Sequence, residues 1–331
     1  MTRLTSGPRV ARLARDLGMV GRGEPVGYLI RHCREWVDRL ISEFEPTSLQ
    51  QLLETVTAKL GLLIEVIDQD ADLASLVSRY LAVGEGGFAR VRDDFAERTF
   101  ALVLRLRKPH NGCAHVAVID CRGSKASRKW FSIWHEIAHL LVEPQLTLDY
   151  RRTGDAHDEV ERVMDAIAGE LAFHPRWFDL GLGEGGRPAL RAFEALRLRE
   201  APTASLQTAY LTLVTRLRTP ALLLIAELAL KESERRSVEG GLPAMPLLRA
   251  VFAIGSPTWV QEGLYIPKTM RVPERSVIFR VHGGAWGEEH LAAEEDLDWW
   301  ESQGKRLRSM PLWVEAASVG QRVVALITPR T

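Results

Sequence analysis

Residues 129–142 read KWFSIWHEIAHLLV. This stretch contains His135, Glu136 and His139 in the order His-Glu-x-x-His. Apolar residues fill most of the other positions, which predicts a largely buried helix over 127–142. Because residues four apart share one face of a helix, the two imidazoles would lie one turn apart on that face.

This pattern suits a metal-dependent hydrolase. Two imidazoles one turn apart can bind one metal ion through ring nitrogens at about 2.0–2.1 Å. Glu136 follows the first ligand, so its carboxylate can reach a water molecule beside the metal and act as a general base. Zinc lowers the pKa of such a water from about 15.7 to about 7, which brings the proton transfer to neutral pH. We therefore expect a catalytic zinc site.

A catalytic zinc site uses three protein ligands and keeps one position open, so a third ligand is expected from the next helix. That helix is predicted over 156–173, where Glu161 and Asp165 are four residues apart beside an apolar stripe. Glu161 could bind the metal while Asp165 fixes the tautomer of a ligand histidine. The same spacing also fits a solvated acidic edge, and spacing alone leaves both interpretations open.

Three further features lie near the pattern. His157 and Tyr150 are candidates to stabilise the oxyanion of a tetrahedral intermediate, although His157 also fits a histidine at a helix end. The apolar, β-rich runs 99–106 and 115–121 flank the turn Asn111-Gly112 and predict either a hairpin or neighbouring strands. If 116–120 formed an edge strand, it could hold an extended substrate through backbone hydrogen bonds.

The order of predicted elements gives an α+β fold. Helical periodicity covers most of 9–60, and a strand is predicted over 62–68, before the hairpin and the two helices. From Pro220 onward, five short apolar or β-branched runs predict a separate mixed sheet domain, at 221–230, 247–253, 276–281, 312–317 and 322–328. We expect four parts, at 1–60, 61–188, 189–219 and 220–331.

Composition narrows the range of partners. The 331 residues carry 43 lysines and arginines and 43 aspartates and glutamates, so the formal net charge is zero. A balanced charge does not favour nucleic acid or an anionic membrane as the main partner. The chain has three cysteines and no CxxC pair. This odd number and spacing predict free thiols in a reducing compartment. No secretory leader is recognisable and no apolar run approaches about 20 residues, so a cytoplasmic protein is expected. The arginines of 189–218 could contact phosphate, but the apolar residues there favour a packed linker, and direct nucleic-acid binding is not expected.

The run 115–119 followed by 129–141 resembles the ImmA/IrrE metallopeptidase family, in which a strand leads into a helix similar to RFTLAHELGHLLL. The next helix is similar to the family's ExxANxFAAELLMP. Glu161 matches the ligand glutamate of that motif, and Ala168, Glu170 and Leu171 match later positions. Two departures occur: Asp165 stands where the family usually has Asn, and one extra residue precedes the matching proline.

The resemblance implies a zincin-like peptidase domain over 61–188, of the gluzincin type, with His135, His139 and Glu161 as zinc ligands and Glu136 as the catalytic base. Mn²⁺ is an alternative metal, because it also accepts two histidines and a glutamate. Residues 205–210 and 218–221 resemble the radiation-response regulator branch, which implies a helix-turn-helix-like segment over 189–219 and a GAF-like domain over 220–331.

The family resemblance also implies a substrate. It would be a helix-turn-helix transcriptional repressor that is cut at one site during a stress or mobile-element response. A second interpretation remains open, in which the metal site is structural or vestigial and the chain is a non-catalytic regulatory or binding protein.

Overall fold

The computed structural model describes residues 7–21, 23–95, 99–143, 150–151, 158–180, 182, 186–241, 243–284, 289–302 and 304–330. The chain contains both helices and strands, and all strand pairs among the described residues except one are antiparallel, which fits the predicted α+β class. Contacts divide the chain into two compact units. The first unit is Met1–Phe178 with Arg197–Ser205, and the second unit is Asp179–Leu196 with Leu206–Thr331. The finer division into four parts stays a prediction.

The first unit surrounds a small sheet with helices. Its helices are α1 (Pro8–Asp16), α2 (Pro25–Phe44), α3 (Leu49–Leu60), α4 (Asp70–Ala82), α5 (Val91–Asp94), α6 (Lys129–Val142) and α7 (Glu159–Ala172). Its strands are β1 (Leu62–Ile67), β2 (Ala101–His110), β3 (Cys113–Asp120) and β4 (Tyr150–Arg151). None of the helices described in either unit is both long and apolar enough to cross a membrane.

The sheet of the first unit has the order β1-β3-β2-β4. Strands β2 and β3 form the expected hairpin, because Asn111 and Gly112 both adopt positive φ angles, 51° and 80°, between the paired residues His110 and Cys113. Strand β3 pairs in parallel with β1 on its other side. The expectation that 116–120 forms an edge strand is therefore wrong, since both edges of β3 already carry hydrogen-bonded neighbours.

The end of β3 is tied to the start of the helix that carries the motif. The carboxylate of Asp120 is fully buried and accepts hydrogen bonds from Arg122 Nε at 2.8 Å and Lys125 Nζ at 2.7 Å. Burial alone would raise the pKa of Asp120, but the hydrogen bonds from Arg122 and Lys125 outweigh it and hold that pKa below its usual value. A 3₁₀ turn over Gly123–Arg128 then leads directly into α6.

Replacing Asp120→Asn is expected to lower the free energy of unfolding by about 2–4 kcal/mol at pH 7, because two cations lose a buried counter-charge. A depressed native pKa stabilises the fold above the ordinary aspartate pKa, and this contribution is lost as the pH falls through the native value. Urea denaturation at several pH values measures both effects.

The difference between wild type and Asp120→Asn should therefore be largest near pH 7 and shrink below about pH 4. Asp70→Asn is the matched control, since it removes an exposed partner of the same Arg122 and should change stability little. A difference that does not depend on pH would contradict the role of Asp120 as an ionised anchor.

Helices α6 and α7 pack together, and α2 fixes them from outside. Trp130 Nε1 in α6 donates to the carbonyl of Ala172 at the end of α7, at 2.9 Å. Arg34 in α2 donates to Glu170 at 2.8 Å. The apolar face of α7 is buried through the residues that the sequence pattern marked: Val160, Met164, Ile167, Ala168 and Leu171. The two helices that carry the candidate residues are thus held at a fixed separation.

The second unit is built on a five-stranded sheet of order β6-β5-β11-β10-β7, in which all neighbours are antiparallel. Its strands are β5 (Leu222–Ala229), β6 (Leu247–Gly255), β7 (His290–Asp296), β10 (Pro311–Val319) and β11 (Arg322–Pro329), and a small ribbon pairs β8 (Glu301–Ser302) with β9 (Lys305–Arg306). Its helices are most of α8 (Leu190–Glu200), then α9 (Leu206–Arg216), α10 (Glu232–Glu239), α11 (Pro257–Gln261) and α12 (Val277–His282).

One of the five predicted strand runs is wrong. Residues 276–281 lie in α12 and its cap, because Ser276 Oγ accepts a hydrogen bond from the amide of Ile278 and starts a helical turn. The fifth strand is β7, whose sequence HLAAEED is polar enough at a sheet edge to have been overlooked. The other four runs fall on β5, β6, β10 and β11.

Candidate metal centre

Helix α6 buries the whole motif. His135, Glu136 and His139 all have 0% of their surface exposed, and Trp134 and Ile137 on the same helix are equally buried. Burying three ionisable groups is costly unless they are paired or bind a metal. Because the surroundings are apolar, the partners of these ionisable groups must come from the side chains that face the two imidazoles.

Helix α7 supplies the facing carboxylate. Asp158 caps the helix by accepting a hydrogen bond from the amide of Val160 at 2.9 Å, which places Glu161 in the first turn. Glu161 Oε2 lies 3.3 Å from His135 Nε2, and Glu161 Oε1 lies 3.6 Å from His139 Nε2. Glu161 is buried, so the interpretation of this position as a solvated acidic edge does not hold.

The three side chains together form a group that could hold a metal ion. The two Nε2 atoms are 3.2 Å apart and form a triangle with the Glu161 carboxylate, which approaches His135 through Oε2 at 3.3 Å and His139 through Oε1 at 3.6 Å. In a tetrahedral site with ligand distances of about 2.0–2.1 Å, neighbouring ligand atoms are separated by about 3.3 Å. The triangle therefore has the size that a small divalent ion requires.

Each imidazole is oriented by a second carboxylate. His135 Nδ1 lies 2.9 Å from Asp165 Oδ1, and His139 Nδ1 lies 3.4 Å from Glu143 Oε2. These partners favour the tautomers that carry the proton on Nδ1, which leaves the Nε2 lone pairs facing Glu161. Glu161 Oε2 accepts no hydrogen bond from the described residues. Lone pairs that converge in this way repel one another, and a cation between them relieves the repulsion.

The protonation state of His139 agrees with a ligand role. Burial lowers the pKa of His139, and the neighbouring His135 lowers it further, against the hydrogen bond that His139 donates to Glu143, which raises it. The neutral imidazole is therefore favoured, and only the neutral form offers a lone pair to a metal.

The structure brings together most of the residues that the sequence singled out. His135, Glu136, His139, Glu161 and Asp165 all lie in or beside the α6–α7 contact. His157 lies outside the described residues, and for Tyr150 only the backbone is described, as part of β4. Sequence reasoning missed Glu143, although its position four residues after His139 would have placed it on the same helix face.

The comparisons with known proteins add little. No family model and no curated protein matches the chain. A solved structure described as a Mycobacterium tuberculosis transcriptional regulator aligns with a TM-score of 0.40 at 11% sequence identity, over 97% of this chain and 81% of the other. A likeness this remote carries no argument about fold or function.

The orienting carboxylates can be tested through metal affinity, with Zn²⁺ as the titrant against a chromophoric chelator. Asp165→Ala and Glu143→Ala should each weaken binding by about 10- to 100-fold, because the imidazoles lose the partners that fix their tautomers. Glu170→Ala is the control on α7, since Glu170 pairs with Arg34 and orients neither His135 nor His139. Equal affinity in all three variants would contradict the assigned orientation of the histidines.

Proposed function

We propose that the chain is a zinc-dependent endopeptidase whose site is formed by α6 and α7. The single observation that supports this most strongly is the buried triangle of His135 Nε2, His139 Nε2 and the Glu161 carboxylate. Three protein ligands of this kind are the usual number for a catalytic zinc site, whereas structural zinc sites use four.

The ligand atoms of the proposed site are compatible with two divalent metals. Two imidazoles and a carboxylate suit Zn²⁺, and Mn²⁺ is the alternative because it accepts the same atoms. When bound, the ion would act as a Lewis acid that makes a water molecule acidic near neutral pH and polarises a peptide carbonyl. His135, His139 and Glu161 would hold it, and Asp165 and Glu143 would keep the imidazoles in their ligand orientation.

Glu136 would carry the proton through the reaction. As the residue after His135, it takes a proton from the attacking water while the water oxygen forms a bond to the carbonyl carbon. It would then deliver this proton to the amide nitrogen as the carbon–nitrogen bond breaks. The second proton of the water passes from the new carboxyl group to the released amine, so the products are a carboxylate and an ammonium group. Complete burial of Glu136 keeps bulk water from competing for this proton. The oxyanion roles of His157 and Tyr150 stay predictions.

The wider biological role is proposed from the family resemblance. The substrate would be a helix-turn-helix repressor in the cytoplasm, cut during a stress or mobile-element response. The first unit would be a zincin-like peptidase, and the sheet of the second unit a GAF-like domain. Arg197, one of the candidate phosphate contacts, instead donates to the carbonyls of Pro202 and Ala204, which favours a packed linker over a nucleic-acid surface.

The decisive variant is Glu136→Gln, which keeps the shape of the side chain and removes the base. It should retain one zinc ion per chain, while cleavage of a co-expressed repressor falls by about 10²- to 10⁴-fold. Zinc content is measured by atomic absorption, and cleavage by the appearance of two repressor fragments. Candidate repressors are those encoded beside the gene of this protein.

Glu170→Gln is the matched control, since it changes a glutamate of α7 that pairs with Arg34 away from the triangle. It should cleave as the wild type does. If Glu136→Gln cleaves at the wild-type rate, the role of Glu136 as base is wrong. If zinc binds tightly but the wild type cleaves no repressor from its own genomic neighbourhood, the regulatory interpretation replaces the peptidase.

A further inference from the structure

The second unit contains a cleft that the proposed peptidase chemistry does not use. Its volume is about 550 Å³, within the range of about 300–1,000 Å³ that is common for small-molecule sites. One wall is formed by residues 271–275 and the other by Trp299 and Glu301. The lining combines two arginines, two glutamates, one indole, one proline and one valine, which offers a flat molecule an aromatic face beside charged groups.

The first wall is rigid because it is tied to the sheet at both ends. The amide of Val272 donates to the carbonyl of Leu248 at 2.9 Å, and Met270 accepts from Ala250 at 2.9 Å, so the segment adds to the edge of β6. At the other end, Glu295 of β7 accepts hydrogen bonds from Ser276 Oγ at 3.0 Å and from the next amide at 2.7 Å.

The second wall is held equally firmly. The amide of Leu297 donates to the carbonyl of Met310 at 3.0 Å, and Asp296 Oδ1 accepts from the amide of Met310 at 2.9 Å. Trp299 therefore stands on a fixed turn. The guanidinium of Arg275 lies 4.1 Å from the centroid of the Trp299 ring and spans the two walls. A ligand would meet a cleft that is already formed.

The charges of the lining are not balanced equally. Arg271 forms an ion pair with Glu274, and Glu301 pairs with Arg306 at 3.5 Å. Arg275, in contrast, makes no hydrogen bond or ion pair with any residue that the structure describes. Its guanidinium is positioned by the indole while its N–H groups stay available, and a planar fork of donors matches a carboxylate or phosphate.

Glu295 also lies within electrostatic range of Arg275, but its Oε1 already accepts hydrogen bonds from Ser276 Oγ and from the amide of Val277. The lining holds two arginines and two glutamates, and among these four residues Arg275 is the one without an ion pair to a described residue.

We propose that this cleft binds a flat organic anion of about mononucleotide size, whose carboxylate or phosphate pairs with Arg275 and whose ring lies on Trp299 and Pro273. Such a ligand would let the second unit respond to a small molecule. This proposal goes beyond the peptidase function and does not depend on it.

Isothermal titration calorimetry of the full chain tests the proposal with two probes, AMP for a phosphate and salicylate for a carboxylate. At least one should bind saturably with a Kd below about 1 mM. Adenosine, which keeps the ring but lacks the anion, and inorganic phosphate, which lacks the ring, should each bind at least about tenfold more weakly than AMP if AMP is the binder. Benzamide serves as the uncharged counterpart of salicylate.

Arg275→Gln should weaken the binding probe by about 10- to 100-fold, because a charge-assisted pair is lost. Arg236→Gln is the control, since it removes the same charge from an exposed site in α10 that pairs with Glu232. The proposal is overturned if neither probe shows saturable binding at concentrations up to about 10 mM. It is also overturned if Arg275→Gln, with an unchanged melting temperature, binds as tightly as wild type.

Discussion

The first unit is constrained most by the buried contact of two imidazole nitrogens with one carboxylate between α6 and α7. Their lone pairs point at one another. Two imidazole nitrogens and a carboxylate meet at 3.2–3.6 Å in a place without exposed surface on α6. Without a cation this arrangement is repulsive, and burial removes the water that would otherwise screen it. A divalent ion held by the three side chains would remove this repulsion and tie α6 to α7.

Several contacts in the first unit hold His135, His139 and Glu161 in this arrangement. Asp165 and Glu143 set the direction of each imidazole, and the buried Asp120 holds the turn that leads into α6. From the outside, Arg34 and Asp38 of α2 contact Glu170 and His174 at the far end of α7. Because these contacts act at different points along the two helices, a shift of either helix would break at least one of them.

The sequence was most informative where one chemical requirement governs several positions. The two histidines of α6 could be placed on one face because helical spacing requires it, and a hairpin could be expected because Asn111-Gly112 suits its turn. Spacing alone left Glu161 and Asp165 between a ligand pair and a solvated edge, and the burial of Glu161 decides between them. The order of strands could not be read in the same way. Pairing β3 in parallel with β1 is a long-range choice made by the packing of helices over the sheet.

Other misses have equally specific causes. The apolar run in α12 looks like a strand until Ser276 caps it, and β7 is too polar to be recognised without its neighbour β10. The partner of His139 was overlooked because a carboxylate near a helix end is common on solvated surfaces. The cleft beside Trp299 joins residues that are more than twenty positions apart in sequence, and no local pattern indicates it.

X-ray absorption spectroscopy of the zinc-loaded protein and of Glu161→Ala measures whether the two imidazoles and the carboxylate share one ion. We expect one zinc ion with two imidazole nitrogens and carboxylate oxygen at about 2.0–2.1 Å, and loss of the carboxylate contribution in the variant. An unchanged spectrum in Glu161→Ala, or a zinc environment without two imidazoles, would contradict this expectation.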